Sequence, residues 1–405
     1  MLKKVLRRIL EPRHFWRNVG YSELNELYAS NLLRRLSISV LMIFVPIYLY
    51  RHSYSVVAIF CMYIAFFAGK AVSDFLAGFT VARYGPKHTM IIGTVLQVAS
   101  SALFMTVPYF RWSFVLLGSL WGASASFYFI PFHVEFSKIK HLKHSGSEIG
   151  YMNVVERIGS AIGPAIGGVL ATVFGSPSIF AAATAIAFAS LWPLFKTAEP
   201  VKIHQQLDFK KFPVERAIYD IGSYAAHSIE NSLCINLWPF YVALFILTGS
   251  VYAQLGVMTT VAILASVYSA HAFGKLLDRH SGVGLLRLST IANTALHLIR
   301  PFVRSIIPAY GVSVANEIIT NGYRIPYLKG MYAAADEYPG FRIVYIVSME
   351  AISSMAKCAV WTLLAVCTAL LGTRYAFVIG FMIAGLASLL IMTERFKALR
   401  TESNI

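Results

Sequence analysis

The 405-residue chain is 57% apolar and only 13% charged, with a mean hydropathy of +0.63. Soluble domains carry about 25% charged residues, so a soluble fold of two or three domains is excluded. The net charge of +16 is therefore not read as a nucleic-acid-binding surface.

The segment 1–22 comes first and carries Lys3, Lys4, Arg7, Arg8, Arg13 and Arg17. Its apolar stretches are too short for a signal-peptide core. It is either a helix lying on anionic lipid through Leu2, Leu6, Ile9 and Leu10, or a solvated basic tail. Apolar runs long enough to cross about 30 Å of hydrocarbon follow. Spans 1 to 6 are expected at 30–50, 55–80, 88–108, 112–136, 149–173 and 177–195. The Lys-rich, Pro-containing stretch 196–216 is the longest break and reads as a linker between two bundles, 23–195 and 217–394. Spans 7 to 12 are expected at 217–247, 251–274, 283–307, 309–330, 342–371 and 374–393, before a tail at 395–405. Lys and Arg crowd one set of connections (Arg83, Lys87, Lys138, Lys140, Lys143, Lys196, Lys202, Lys210, Lys211, Arg279), whereas the other set holds little beyond Arg51, Arg111 and Arg374. By the positive-inside rule both termini are expected in the cytoplasm, with the chain in the cell membrane.

The two bundles repeat each other. Pro46-Ile-Tyr48 recurs as Pro239-Phe-Tyr241, and Tyr128-Phe-Ile-Pro131 as Tyr323-Arg-Ile-Pro326. Tyr151 and Glu156 recur as Tyr345 and Glu350. After span 2 stands Gly78-Phe-Thr-Val-Ala82-Arg83-Tyr-Gly85-Pro-Lys87; after span 8 stands Gly274-Lys-Leu-Leu-Asp278-Arg279-His-Ser-Gly282. A polytopic chain of two related halves points to a transporter with its site between them.

These loops, with Gly159, Gly163-Pro164, Gly167 and Gly168 in span 5, make the chain resemble the major facilitator superfamily over almost its whole length. The resemblance implies an all-α fold of twelve transmembrane helices in two six-helix bundles. It also implies that spans 1, 4, 7 and 10 line a central cavity, spans 2, 5, 8 and 11 form the seam between halves, and spans 3, 6, 9 and 12 are outer supports. The gate motif departs from the family at Ala82, where an Asp is usual; Asp74 either takes its place or pairs with Lys70 at i, i+4. The second copy keeps Asp278 and Arg279. The Gly-Pro stretch of span 5 resembles a motif of exporters in the family, and its glycines are expected to pack closely against the other half.

An ionisable group within a span costs several kcal/mol unless it meets a partner or a cavity. The candidate substrate or coupling groups are Arg34 (with Arg35 beside it), His227, Glu230, Glu317, Arg324, Glu156 and Glu350. Each also has a structural reading as an interhelical ion pair, with Arg157 and Lys357 as local rivals for Glu156 and Glu350. His297, Arg300 and Arg304 of span 9 are expected at lipid headgroups, and His133 and Glu135 at the interface. Cys61, Cys234, Cys358 and Cys367 show no metal or disulfide spacing, and no nucleotide-binding loop occurs.

The expectation is a monomeric secondary active transporter, not an enzyme, without cofactor or metal. It moves a small polar or anionic solute by alternating access, coupled to an ion, with the proton favoured. A proton-coupled exporter of apolar or cationic drugs is the first alternative. A lipid flippase or non-transporting sensor is the second, and would need an apolar slot open sideways between the halves. The topology is testable: single cysteines replacing Leu142 and Gln206 should label only from the cytoplasm, and one replacing Gly249 only from outside. Outside labelling at 206 would overturn it.

Overall fold

A computed structural model describes residues 21–139, 145–195, 207–279, 282–338 and 340–400, with the side chains of 21–25, 136–155, 195, 216, 271, 274–279, 336 and 398 outside that description. The basic N-terminal segment up to residue 20 and most of the linker are therefore not discussed further, nor are the side chains of Asp278 and Arg279. Among the described residues the secondary structure is helical, without strands. Span 2 is Val56–Tyr84, span 3 Pro86–Met105, span 4 Phe114–Ile139, span 5 Ser145–Val173 and span 6 Pro177–Ala189. Span 8 is Val251–Arg279, span 9 Gly282–Ile299, span 10 Ile306–Asp336, span 11 Arg342–Leu371 and span 12 Thr373–Ile391.

Spans 1 and 7 are each broken at the repeated proline. Span 1 runs as Tyr21–Leu41 and then Val45–Arg51, with Pro46 in the first turn of the second piece. Span 7 runs as Val214–Ser232, a π-helical turn Leu233–Leu237, and Trp238–Phe245, opened by Pro239. Proline has no backbone N–H, so the carbonyl four residues earlier loses its helical donor. Those carbonyls belong to Met42 and Ile235, both residues that line the central cavity. Span 7 thus begins inside the segment read as linker.

Nine helices among the described residues are long and apolar enough to cross a membrane. Spans 5, 7 and 10 fall outside that set, and they are the spans that carry Glu156 and Arg157, Glu230, and Glu317 and Arg324. Their polarity is tolerable because it is turned inward, away from lipid.

Two apolar clusters close the molecule above and below its middle. One lies on the distal side, opposite the linker, where Phe44 meets Tyr252 at 5.6 Å between ring centroids and Tyr63 stacks on Trp361 at 4.4 Å. The other lies on the linker side and contains Tyr128, Phe132, Phe212, Tyr327, Tyr345 and Val347. Gly85, at φ +91°, makes the tight turn from span 2 to span 3. Gly78 lets span 2 approach span 11, since a Cβ there would stand 2.6 Å from the Val347 side chain. Arg83 is exposed against the ring of Tyr84.

The glycines of span 5 divide differently from expectation. Gly159, Gly163 and Gly167 face Leu32, Ser39 and Val40 of span 1, within their own half. Gly168 alone of the set faces the other half, against Tyr252 and Gly256 of span 8. Positions four apart share a helix face, so three of these residues serve one neighbour, and residue 168 is rotated onto the seam. Gly163→Val should therefore lower unfolding stability by about 1–3 kcal/mol through overpacking against span 1. Gly222→Ala, where an added Cβ meets nothing within 4 Å, should not. Thermal unfolding of the detergent-purified proteins checks both.

Candidate functional site

A cavity of about 220 Å³ lies between the halves, lined by spans 1, 5, 7, 8 and 10. Its walls are of two kinds. Ile38, Met42, Ile43, Trp238, Met258 and Ile263 make an apolar part. The opposite part carries Arg35, Glu156, Arg157, Glu317 and Arg324, and these charges are joined across the seam. Glu156 accepts from Arg35 of its own half at 2.7 Å and from Arg324 of the other half at 3.2 Å. Arg157 donates to Glu317, also across the seam, and to Asn321 at 2.7 Å. Asn321 in turn donates to Ser269 and to the Ser266 carbonyl of span 8.

Arg157 is thus no rival for Glu156. Adjacent helical residues point about 100° apart, so Glu156 turns toward spans 1 and 10 while Arg157 reaches Glu317. Three guanidinium groups share two carboxylates here, so every arginine has an acidic partner while the cluster keeps a formal net charge of one positive unit.

Glu230 borders the same cavity, but its carboxylate is already occupied. Its Oε1 receives Asn293 at 2.8 Å and lies 3.0 Å from His297 Nε2; its Oε2 receives the Tyr323 hydroxyl at 2.6 Å. Behind His297 stands Arg300, 3.0 Å from His297 Nδ1 and donating to Asn316 at 2.7 Å. The Arg300 guanidinium also lies over Trp238, 5.1 Å from the ring centroid. Both span 9 residues are fully buried. This corrects the expectation of headgroup contact for His297 and Arg300: a buried carboxylate needs hydrogen-bond donors, and span 9 turns inward to supply Asn293 and His297, with the Arg300 guanidinium behind the imidazole. Arg304 remains exposed.

Arg34 and His227 do not line this cavity. They are repeat equivalents, and both are drawn onto tyrosines of the neighbouring span. Arg34 is buried over the ring of Tyr128 at 4.6 Å. His227 stacks on Tyr327 at 5.0 Å and meets Tyr323 edge-on. The cavity cation of span 1 is Arg35.

Glu350 sits apart from the cavity, on the seam of spans 2 and 11. Lys70 donates to Glu350 at 2.9 Å and to both oxygens of Asp74 at 2.9 and 3.0 Å. Ser354 of span 11 donates to Asp74 at 3.3 Å. Asp74 thus pairs with Lys70 and also touches the other half. On the linker side His133 Nδ1 is 2.7 Å from the Tyr332 hydroxyl across the seam, so His133 is more than interfacial. Among the described residues no cluster of His, Cys, Asp and Glu could hold a metal ion.

Two helical bundles with a charged cavity between them define a multi-pass membrane transporter. The sequence profile of the Major Facilitator Superfamily matches residues 27–315, and the chain belongs to that family. It is 27% identical over 248 residues to multidrug resistance protein 1 of Bacillus subtilis (strain 168), covering 59% of this chain and 63% of the relative. It is 27% identical over 218 residues to multidrug resistance protein 2 of the same strain, covering 52% and 49%. The match thus spans less than two thirds of either relative's length. Among solved structures, the human organic anion transporter MFSD10 (TETRAN) superposes with a TM-score of 0.69 at 15% identity, covering 92% of this chain and 99% of that one. The E. coli fucose:proton symporter gives 0.65 at 14%, covering 94% and 98%. Both are likenesses of fold.

The cross-seam pairing is testable by a double-mutant cycle. Arg157→Met and Glu317→Gln should each destabilise the protein, because each strands a partly buried partner, by as much as about 3–5 kcal/mol. The double variant should recover part of the loss, with a coupling of about 0.5–3 kcal/mol in denaturant unfolding. A coupling near zero would mean the two side chains do not act together.

Proposed function

We propose that this protein is a secondary active transporter of a small organic anion, working by alternating access in the cell membrane with both termini in the cytoplasm. The observation that carries this reading is the three-arginine, two-glutamate cluster at one wall of a cavity whose other wall is apolar. A guanidinium already engaged by a protein carboxylate is pre-aimed for a solute carboxylate or phosphate, which it holds by paired charge-assisted hydrogen bonds. The apolar wall suits the body of such a solute. The cavity volume suits a small one, since sites for drug-sized ligands run to about 300–1,000 Å³. Aromatic contacts between the halves on the distal side and the His133–Tyr332 contact on the linker side supply the two gates that must open in turn. We infer that a proton gradient drives the cycle, and that the chain performs transport rather than catalysis.

A second reading, proton-coupled export of apolar or cationic drugs, is favoured by the apolar wall and by the names of the two bacterial relatives. Thermal-shift screening of the purified protein against organic anions, cations and neutral sugars, followed by uptake into vesicles with an imposed proton gradient, separates the two. The expected outcome is stabilisation by anions and saturable anion flux. Arg324→Gln should weaken anion binding by roughly 10- to 100-fold, the equivalent of one charge-assisted hydrogen bond of about 1.5–3 kcal/mol, with little loss of folded protein. Cation flux without anion binding would overturn the first reading in favour of the second.

A further inference from the structure

The seam between spans 2 and 11 holds a second charge cluster, away from the solute cavity. Lys70 is buried and has two acids, one on its own helix (Asp74, i+4) and one on the other half (Glu350). Its bond to Glu350 is a buried ion pair that ties the two halves together. Opening the linker side must break it, and breaking a buried pair while both groups stay charged is strongly opposed.

The surroundings of Glu350 offer a way round that cost. Facing it are Lys70 and Asp74 from span 2, Tyr224 from span 7, His133 from span 4 and Tyr332 from span 10. From its own helix come Tyr345 and Lys357, the latter drawn onto the ring of Phe67 at 4.9 Å and making no ion pair among the described residues. On its linker side Glu350 borders a small void of about 10 Å³, lined also by His133, Tyr224, Tyr332 and Tyr345. That is room for about one water. The Tyr345 hydroxyl is buried and has no hydrogen-bond partner among the described residues. The rest of the void's wall is apolar, from Met331, Ala335, Ile346 and Met349, so the polar groups that border it beside Glu350 are His133, Tyr224, Tyr332 and Tyr345.

We propose that Glu350 is a proton-binding site of the transporter, separate from the solute cavity, and that the bound proton releases Lys70 and lets spans 2 and 11 part on the linker side. The proton adds to the Glu350 carboxylate and makes it a neutral acid, which stays bonded to Tyr224. Lys70 keeps its own protons and falls back on Asp74, so Lys70 still has an acidic partner within its own half when the seam opens. Asp74 is the resident partner that makes the exchange possible. The solute cavity plays no part in this step. The inference rests on the alternating-access reading above and not on the solute being an anion.

The test needs no solute. Infrared titration of the purified protein in lipid vesicles should show a carboxylic-acid C=O band growing on acidification. That band should be missing from Glu350→Gln and retained in Glu156→Gln. In parallel, spin labels on Tyr84→Cys and Thr393→Cys, one on each half at the linker side, should move apart on acidification. Glu350→Gln should hold the wide distance at every pH. Where Glu350→Gln yields no folded protein, the double variant Lys70→Met/Glu350→Gln, which removes both partners, should likewise lose the pH response. A titrating band that survives in Glu350→Gln, or a label distance that still responds to pH in either variant, overturns the proposal. Loss of anion flux with these two readouts intact would instead strike only at the solute assignment.

Discussion

Glu156 holds a guanidinium from each half of the molecule, and the rest of the architecture is arranged so that it can. A carboxylate in the middle of a bilayer-spanning bundle is costly unless a cation meets it. Here the cations come from span 1 at 2.7 Å and from span 10 at 3.2 Å. The same logic places Arg157 opposite Glu317, Lys70 opposite Glu350, and Arg300 with His297 behind Glu230. Three of these four groupings cross the seam between bundles. The polar groups that define the cavity are therefore also groups that join the halves, and a solute that competes for them acts on the conformational equilibrium directly. A ligand shifts such an equilibrium only through differential affinity for its states, which cross-seam ion pairs would supply under the alternating-access reading.

The repeat gives the molecule two seams of similar shape and different chemistry. Spans 5 and 8 meet on the distal side through Gly168 and Gly256, with backbone against backbone. Spans 2 and 11 meet through Lys70, Asp74, Glu350 and Ser354, and further toward the linker through Gly78 and Val347. The position corresponding to Lys70 in the second half, by the offset of the glycine motifs, is Ser266, whose hydroxyl only caps a carbonyl of its own helix. One seam is steric and the other electrostatic. Of these two helix pairs, only spans 2 and 11 bring charged side chains into contact.

The described part of the linker belongs to this arrangement. Phe209 packs on Phe75 and Phe79 of span 2, and three residues on, Phe212 packs on Tyr338, Phe341 and Tyr345 at the start of span 11. A short stretch of chain thus touches both sides of the electrostatic seam. Asp208 is held below the ordinary carboxylate range by its bonds to the side chain and backbone N–H of Lys211, which fixes the turn that sets the two rings.

The fold was legible in the amino-acid sequence because it follows from one-dimensional properties: run length against bilayer thickness, the internal repeat, and the spacing of glycines, prolines and charges. Those properties also singled out Glu156, Glu230, Glu317, Arg324 and Glu350 as charges in need of an explanation, whereas the breaks of spans 1 and 7 near the repeated Pro46 and Pro239 appeared only in the structure. The partners were not legible. Periodicity gives the face a residue occupies on its own helix, but not how that helix is rotated or how deep it sits against its neighbours. A rotation of about 100° separates adjacent residues, and it decides that Arg35 rather than Arg34 enters the cavity and that Arg157 reaches Glu317 rather than Glu156. The inward turn of His297 and Arg300 was hidden for the same reason, since Glu230 lies 67 residues from His297 in the chain. Which charges meet is settled only when two bundles pack, because the cost of an unpaired charge belongs to the assembled interior and not to any one helix.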